Sequence, residues 1–312
     1  MPAYSKLIGK LMGLPKTLLN MHYAFSRIEQ RQQTQLALSG RALSDFNRTR
    51  TDIKTLHDAE FKVFSQFGDD GIIQHLVNNI EIPFEQQVFI EFGVENYTEA
   101  NTRFLLINNN WSGLIMDGSA KNMAHVQNSP LYHQYDLQAL NAFITAENIN
   151  SLIASAGISG EIGLLHIDID GNDYWVWKAI KAVNPIIVIV EYNHIFGPDK
   201  PYTVPYDPAF YRTEKHHSNL YFGTSLLSIC DLAAELGYDF VGCSLTGINA
   251  YFVRKDKNFM PALTAGQGFV DARVRQSRNA EGRLTYLRGE DRLKAIKGMP
   301  VFNTRTGKTE TL

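Results

Sequence analysis

GLLHIDIDGNDYWVW, residues 163–177, decides how this chain of 312 residues is read. An apolar run over 162–169 should be a buried strand, and it leads directly into Asp168, Asp170 and Asp173. On a strand, residues two apart face the same side, so His166, Asp168 and Asp170 share one face at the carboxyl end. Converging carboxylates are costly without a cation or a proton. A helix cap at Asp173 and one hydrogen-bonded aspartate would not account for both Asp168 and Asp170. After the strand, the spacing predicts a helix over 174–182, then an apolar strand over 186–190 that ends in Glu191, Tyr192, Asn193 and His194. A buried strand, a helix and a second buried strand point to a parallel sheet covered on both faces.

Upstream, the same alternation continues. SQFGDDGIIQHLVNN (65–79) carries the apolar stripe of an amphipathic helix, and VFIEF (88–92) reads as a buried strand. A helix over 101–109, a strand over 113–116, and helices near 139–146 and over 148–156 complete that half. Downstream, a helix over 226–236 precedes two short strands, 239–243 and 250–253. A turn with Gly247 and Asn249 joins them, the pattern of an antiparallel edge hairpin. The chain is 44% hydrophobic and 20% charged, which suits one large α/β domain or two small ones.

Both ends differ from this core. Residues 1–60 read as a helical appendage, with apolar residues bunched from Leu7 to Met21 among Lys6, Lys10 and Lys16 and broken by Gly13 and Pro15. Such a helix could lie on an anionic membrane surface as a peripheral contact, or pack on the domain or on a second subunit in a homo-oligomer. Residues 61–256 form the main domain, and 257–312 a basic extension. From Arg254 onward there are thirteen Lys or Arg against six Asp or Glu, although the net charge of the whole chain is -2. That balance gives no reason to expect a nucleic-acid partner. Two cysteines, Cys230 and Cys243, no signal-peptide pattern and no run of about 18 apolar residues lead to the expectation of a cytoplasmic protein.

Ligands of open α/β sheets sit outside the carboxyl ends of the strands, where this chain places Glu91, Asp117, Asp168 and Glu191. Glycine at Gly93 lets the backbone approach a ligand. Asp117 could accept both hydroxyls of a ribose, or cap the helix that follows it. If the strands ending in Asp170 and Glu191 are neighbours, Asp170, Glu191 and Asn193 could offer hard oxygens to Mg2+ or Mn2+. His194 could then act as general base on a bound hydroxyl, although a histidine beside a carboxylate is commonly structural.

Taken together, SQFGDDG, FIEFGVENYTEANTRFLL, WSGLIMD, LLHIDIDGNDYWVWKAI, IVIVEYN and YFGTSLLSICDLAAELGYDFVGCSLTGINAYFVR resemble class I S-adenosylmethionine-dependent methyltransferases, closest to the FkbM-like group, over roughly residues 64–254. The resemblance implies a Rossmann-like α/β fold: a mostly parallel seven-stranded sheet with an antiparallel edge hairpin and helices on both faces. By the same resemblance, Glu91, Gly93 and Glu95 line the methionine part of the cofactor and Asp117 takes the ribose hydroxyls. Asp136 lies near the adenine, Asp168 faces the methionine amine or the reacting centre, and Gln66 touches the cofactor. Asp170, Glu191 and Asn193 look like the acids that hold magnesium in some O-methyltransferases of the superfamily. One departure is that Glu95, Asn96 and Tyr97 stand where the superfamily usually has further glycines.

The expectation is thus an O-methyltransferase acting on a hydroxyl of a sugar or other polar small-molecule acceptor, with divalent-metal assistance. The Tyr- and Pro-rich insertion 194–223 would form the acceptor wall, with Arg212, Lys215, His216 and His217 available to an anionic acceptor. Two alternatives stand beside it: a metal-dependent glycosyltransferase using Asp168-Ile-Asp170, and a non-catalytic scaffold that kept the fold.

Overall fold

A computed structural model describes residues 2–312, with side chains from residue 18 onward except 19, 22 and 26. Its centre is a sheet of β1 (Val88–Phe92), β2 (Ser112–Asp117), β3 (Leu137–Asn141), β4 (Gly160–Ile167) and β5 (Val183–Glu191), all parallel. A short strand β6 (Tyr202–Thr203) lies outside it, and β7 (Tyr238–Cys243) and β8 (Asn249–Arg254) close its far edge as an antiparallel hairpin. The order is β3-β2-β1-β4-β5-β8-β7. This is the Rossmann-like α/β fold expected from the sequence.

The residues explain the order. β5 is VNPIIVIVE, buried from Pro185 to Val190, a composition that only a strand covered on both faces can hold. One core cluster joins Ile90, Leu165 and Val188 to Trp177 and Ile229 on one face, and the other joins Phe89, Leu164 and Ile187 to Ile72 and Leu76. Helix Leu226–Leu236 has the bounds its sequence predicts. Ser225 Oγ accepts from Ser228 N at its start, and Gly237, at φ 89°, ends it.

Two elements differ from expectation. The helix expected from Ser65 begins at Asp69, because the backbone N–H groups of Val63, Phe64 and Ser65 all donate to Asp70 Oδ2, at 2.7, 2.9 and 2.8 Å. Residues 65–68 are thereby wound around the carboxylate instead of into the helix. Residues 139–146, expected as helix, contain the end of strand β3, which pairs with β2 and forms the sheet edge. Tertiary pairing overrides a short helical pattern here. The helices of this stretch lie earlier, at Ala120–Gln127 and Pro130–Gln134, capped by Ser119 and Ser129.

The first helix runs over Pro2–Thr49 without the break expected at Gly13 and Pro15. Its carboxyl half docks on the domain: Ser44 Oγ donates to Gln74 Oε1 at 3.1 Å, and a Cβ on Gly40 would stand 2.5 Å from Val63 Cγ2. The membrane or packing role expected of the apolar cluster 7–21 concerns side chains outside the described residues, apart from Leu18 and Met21, which are exposed. Among the described residues, no helix is long and apolar enough to cross a membrane.

The basic extension packs against the insertion. β9 (Pro300–Asn303) and β10 (Lys308–Thr311) join β6 in a second antiparallel sheet. Phe196, Phe210, Leu220, Tyr221 and Phe222 of the insertion bury against Ile296 and Val301 of the extension. Insertion and extension together form one cap beside the carboxyl ends of β4 and β5.

Candidate functional site

At the carboxyl ends of the parallel strands, under that cap, lies a cavity of about 710 Å³. Gln66, Glu91, Gly93, Glu95, Asp117, Asp168, Asp170, Glu191 and His194 all line it. Asp136 and Asn193 do not.

The end of β1 sets the floor. Gly93 sits at φ 70°, and a Cβ there would stand 1.7 Å from the carbonyl oxygen of Asp168, so only glycine fits between the ends of β1 and β4. Beyond it, Glu95 and Tyr97 take left-handed backbone at φ 48° and 59° without glycine. Such positions persist only where surroundings hold them. Here Glu95 N donates to Asp117 Oδ2 at 2.9 Å, and Tyr97 is buried with its hydroxyl 2.9 Å from Thr102 Oγ1. The turn is thus held by the side chains of Asp117 and Thr102. Asp117 Oδ1 also accepts from Ser119 N at 2.7 Å, so this one carboxylate ties the loops after β1 and β2 together. Ser119, not Asp117, caps the next helix.

Glu91 lies across from His166 in the register of β1 and β4. Its buried carboxylate accepts from Asn101 N at 2.9 Å, from Thr102 N at 3.0 Å and from Thr102 Oγ1, and it pairs with His166 Nδ1 at 2.9 Å. Burial pushes the Glu91 carboxyl up, but His166 and Thr102 outweigh it and hold the group below its ordinary value. Burial likewise pushes His166 down, and Glu91 outweighs it to hold the imidazole above its ordinary value. Both oxygens of Glu91 therefore serve the scaffold.

The acids at the ends of β4 and β5 converge. Ligand oxygens of Asp168, Asp170 and Glu191 lie within 4.8 Å of one another, and these are the acids in reach of a shared cation among the described residues. Strand β4 ends at Ile167, and Asp170 takes φ 58°, so a left-handed turn rather than strand alternation brings the acids together. Asp173 holds that turn by accepting from Ile169 N at 2.8 Å and Gly171 N at 2.9 Å. Burial, and then the Asp170 charge, push the Asp168 carboxyl up to about 7. Burial and the charge of Asp168 raise Glu191 well above the carboxylate range, and its Oε2 is buried with no hydrogen-bond partner. Arg212 Nη1 donates to Asp170 Oδ1, with its guanidinium 3.6 Å above the ring of Phe222.

Four expectations need correction. Asn193, expected beside the acids, is fully buried: its Nδ2 donates to Leu220 O and Phe222 O, both at 3.0 Å, and its Oδ1 accepts from Ile195 N. It fastens the insertion to the end of β5, and Asp168 takes its place in the cluster. Asp136, expected near an adenine, immediately precedes β3 and accepts from Ser112 Oγ at 2.7 Å, at the amino ends of the strands. Residues that follow β3, Ala142, Phe143 and Ile144, line the cavity instead. His194, expected as a base, has Nδ1 2.9 Å from Asp271 Oδ1 and Nε2 3.2 Å from Arg292 Nη1. Burial and Arg292 lower it to about 4. With Nδ1–H given to Asp271, the Nε2 lone pair faces a guanidinium, which leaves no acceptor for a substrate proton. Gln66 lines the cavity from the loop before helix Asp69–Asn79, not from the helix itself. Asp271 and Arg292 come from the basic extension, and no spacing in the sequence ties them to this site.

No family model matches this chain, and no curated protein matches it. Among solved structures it is similar to an O-methyltransferase from Bacillus cereus in complex with SAH, at 13% identity over 70% of this chain and 91% of that one, with a TM-score of 0.38. It is also similar to an S-adenosylmethionine-dependent methyltransferase from Clostridium acetobutylicum, at 10% identity over 60% and 90%, again with a TM-score of 0.38. Likeness at this level carries no argument about chemistry. The fold stands on its own strand order.

Proposed function

We propose that this chain is an S-adenosylmethionine-dependent O-methyltransferase of the FkbM-like kind, acting on a hydroxyl of a sugar or other polar metabolite. The observation that carries this reading is one cavity at the carboxyl ends of β1 to β5, into which Gly93, Asp117 and the acids at 168, 170 and 191 all open. S-adenosylmethionine, when bound, supplies a methyl group made electrophilic by its sulfonium. Gly93 lets the ends of β1 and β4 close up as the floor under the methionine portion, and Asp117, which accepts from Glu95 N, Ser119 N and Asn122 Nδ2, keeps a free acceptor position on Oδ2 for a ribose hydroxyl. Phe143, 47% exposed beside the cavity, offers a ring face to an adenine.

Without a cation at the acids, Asp168 suits the role of proton acceptor better than His194; with one bound, Asp168 would serve as a ligand instead. A carboxylate raised to about 7 is matched to a hydroxyl proton near neutral pH, whereas a histidine lowered to about 4 and facing Arg292 is not. Asp168, Asp170 and Glu191 also fit a hard cation such as Mg2+ or Mn2+: three carboxylates in reach of one another, with one buried oxygen unpartnered. A cation there would draw Asp170 from Arg212 and lower the pKa of a bound hydroxyl. The domain bounds 1–60, 61–256 and 257–312 belong to the same proposal, as does a cytoplasmic setting, which the free thiols Cys230 and Cys243 suit.

An acid whose folded pKa is raised stabilises least once pH has risen through that value, so Asp168 burdens the metal-free fold above about pH 7. Asp168→Asn is therefore expected to raise the Tm at pH 8, by about 2–4 °C for each kcal/mol relieved, with no gain at pH 4. The same substitution is expected to weaken Mn2+ binding. Calorimetry with and without Mn2+ checks both, and an unchanged Tm at pH 8 would remove Asp168 as the strained acid. Titration with UDP-sugars plus Mn2+ separates the glycosyltransferase reading. No binding is expected, and tight binding without affinity for S-adenosylmethionine would favour that alternative.

A further inference from the structure

Beside the reaction cavity lies a second one, of about 430 Å³, lined by Arg273, Arg275, Arg288 and Arg292 with Asp271 and Leu287 among its walls. The segment 271–276 runs between the two. Val274 and Gln276 line the reaction cavity, while Asp271, Ala272, Arg273 and Arg275 line the other. From Arg273 to Gln276 the residues alternate between the two cavities, as in an extended strip with one face to each side. Arg292 lines both cavities.

The charges in the second cavity are out of balance. Asp271 is taken by Arg292 Nη2 at 2.9 Å and by His194. Among the described residues, Arg273, Arg275 and Arg288 make no ion pair with a carboxylate; Arg275 only lies over the ring of Tyr286, 5.2 Å from its centroid. Arg292 is itself buried, donating to Ala272 O at 2.7 Å, and its Nε has no acceptor. Arg273, Arg275 and Arg288 are exposed, so solvent tempers their mutual repulsion, and the fork of the guanidinium matches phosphate oxygens two at a time.

We infer that the second cavity binds a phosphate or diphosphate group of the acceptor, and that Arg292 couples it to the place where the hydroxyl reacts. This rests on the methyltransferase reading and names the acceptor class within it: a soluble phosphorylated hydroxyl compound. Arg273, Arg275 and Arg288 hold the anion, and the strip 271–276 sets its distance from Asp168.

The test is titration of the full chain with inorganic pyrophosphate at low ionic strength, in parallel with S-adenosylhomocysteine. The wild type is expected to bind pyrophosphate. The double variant Arg273→Ala with Arg288→Ala is expected to lose at least about tenfold in that affinity, a change of 1.4 kcal/mol, with binding of S-adenosylhomocysteine unchanged. Lys297→Ala, which removes an exposed charge of the same extension outside the cavity, is expected to leave both alone. No pyrophosphate binding by the wild type, or equal losses in the double variant and Lys297→Ala, would overturn the inference. Citrate binding as tightly as pyrophosphate would overturn the phosphate class. Arginine-dependent sedimentation with phosphatidylserine vesicles that pyrophosphate does not compete away would overturn a soluble acceptor in favour of a lipid headgroup. Pyrophosphate binding that tracks the arginines while S-adenosylhomocysteine fails to bind would leave the anion site standing and refute the methyltransferase reading instead.

Discussion

Gly93→Ala is expected to abolish binding of S-adenosylhomocysteine and to lower the free energy of unfolding by about 3 kcal/mol. Both effects have the same origin. At φ 70° an L residue is strained, and the added methyl would stand 1.7 Å from Asp168 O, a backbone atom that cannot swing aside. The ends of β1 and β4 would have to separate. That displaces the turn which carries Asp168 and Asp170, and it moves Glu95 N off Asp117. Chemical denaturation and titration on the same preparation check the pair of effects. An alanine variant with wild-type stability and affinity would show that this approach of two strand ends is not what shapes the cavity.

Glu91→Gln is the second large effect, expected to cost about 3–5 kcal/mol because it leaves His166 buried without its counter-charge. The amide also turns a donor toward the N–H groups of Asn101 and Thr102, where the carboxylate accepts. The pH dependence follows from the direction of each shift. Glu91 is held below its ordinary value, so its contribution is complete above that value and is lost as pH falls through the depressed one. His166 is held above its ordinary value, so its contribution is complete below that value and is lost as pH rises through the raised one. The pair stabilises most between about pH 4.5 and 6.5. Unfolding curves across pH for wild type and Glu91→Gln should therefore differ most in that window, and a constant difference would separate Glu91 from the ionisation of His166.

The sheet was legible because its strands are apolar runs with acids at their carboxyl ends. VFIEF, LLHIDID and IIVIVEYN each state where a buried strand stops and a ligand-facing turn begins. The edge strand β3 was not, since its LQALN is half exposed and carries no such run, and the adenine role of Asp136 rested on the resemblance alone. Asn193 shows the limit of alternation as a guide. It follows β5 at the right spacing to share a face with Glu191, but the chain leaves the strand after Glu191 and turns the amide into the insertion. Arg212, noted in the sequence as an acceptor contact, proves to be the cation held against Asp170. Asp271 and Arg292 arrive from a segment whose composition says only that it is basic, because their placement depends on how β9 and β10 pair with β6.

The cavity above β1 to β5 is expected to bind an S-adenosyl cofactor through the end of β2. Isothermal titration of wild type and Asp117→Ala with S-adenosylmethionine and S-adenosylhomocysteine, with and without magnesium, measures this binding. Micromolar binding by the wild type and none by Asp117→Ala is the expected result. No binding by the wild type under any of these conditions would contradict it.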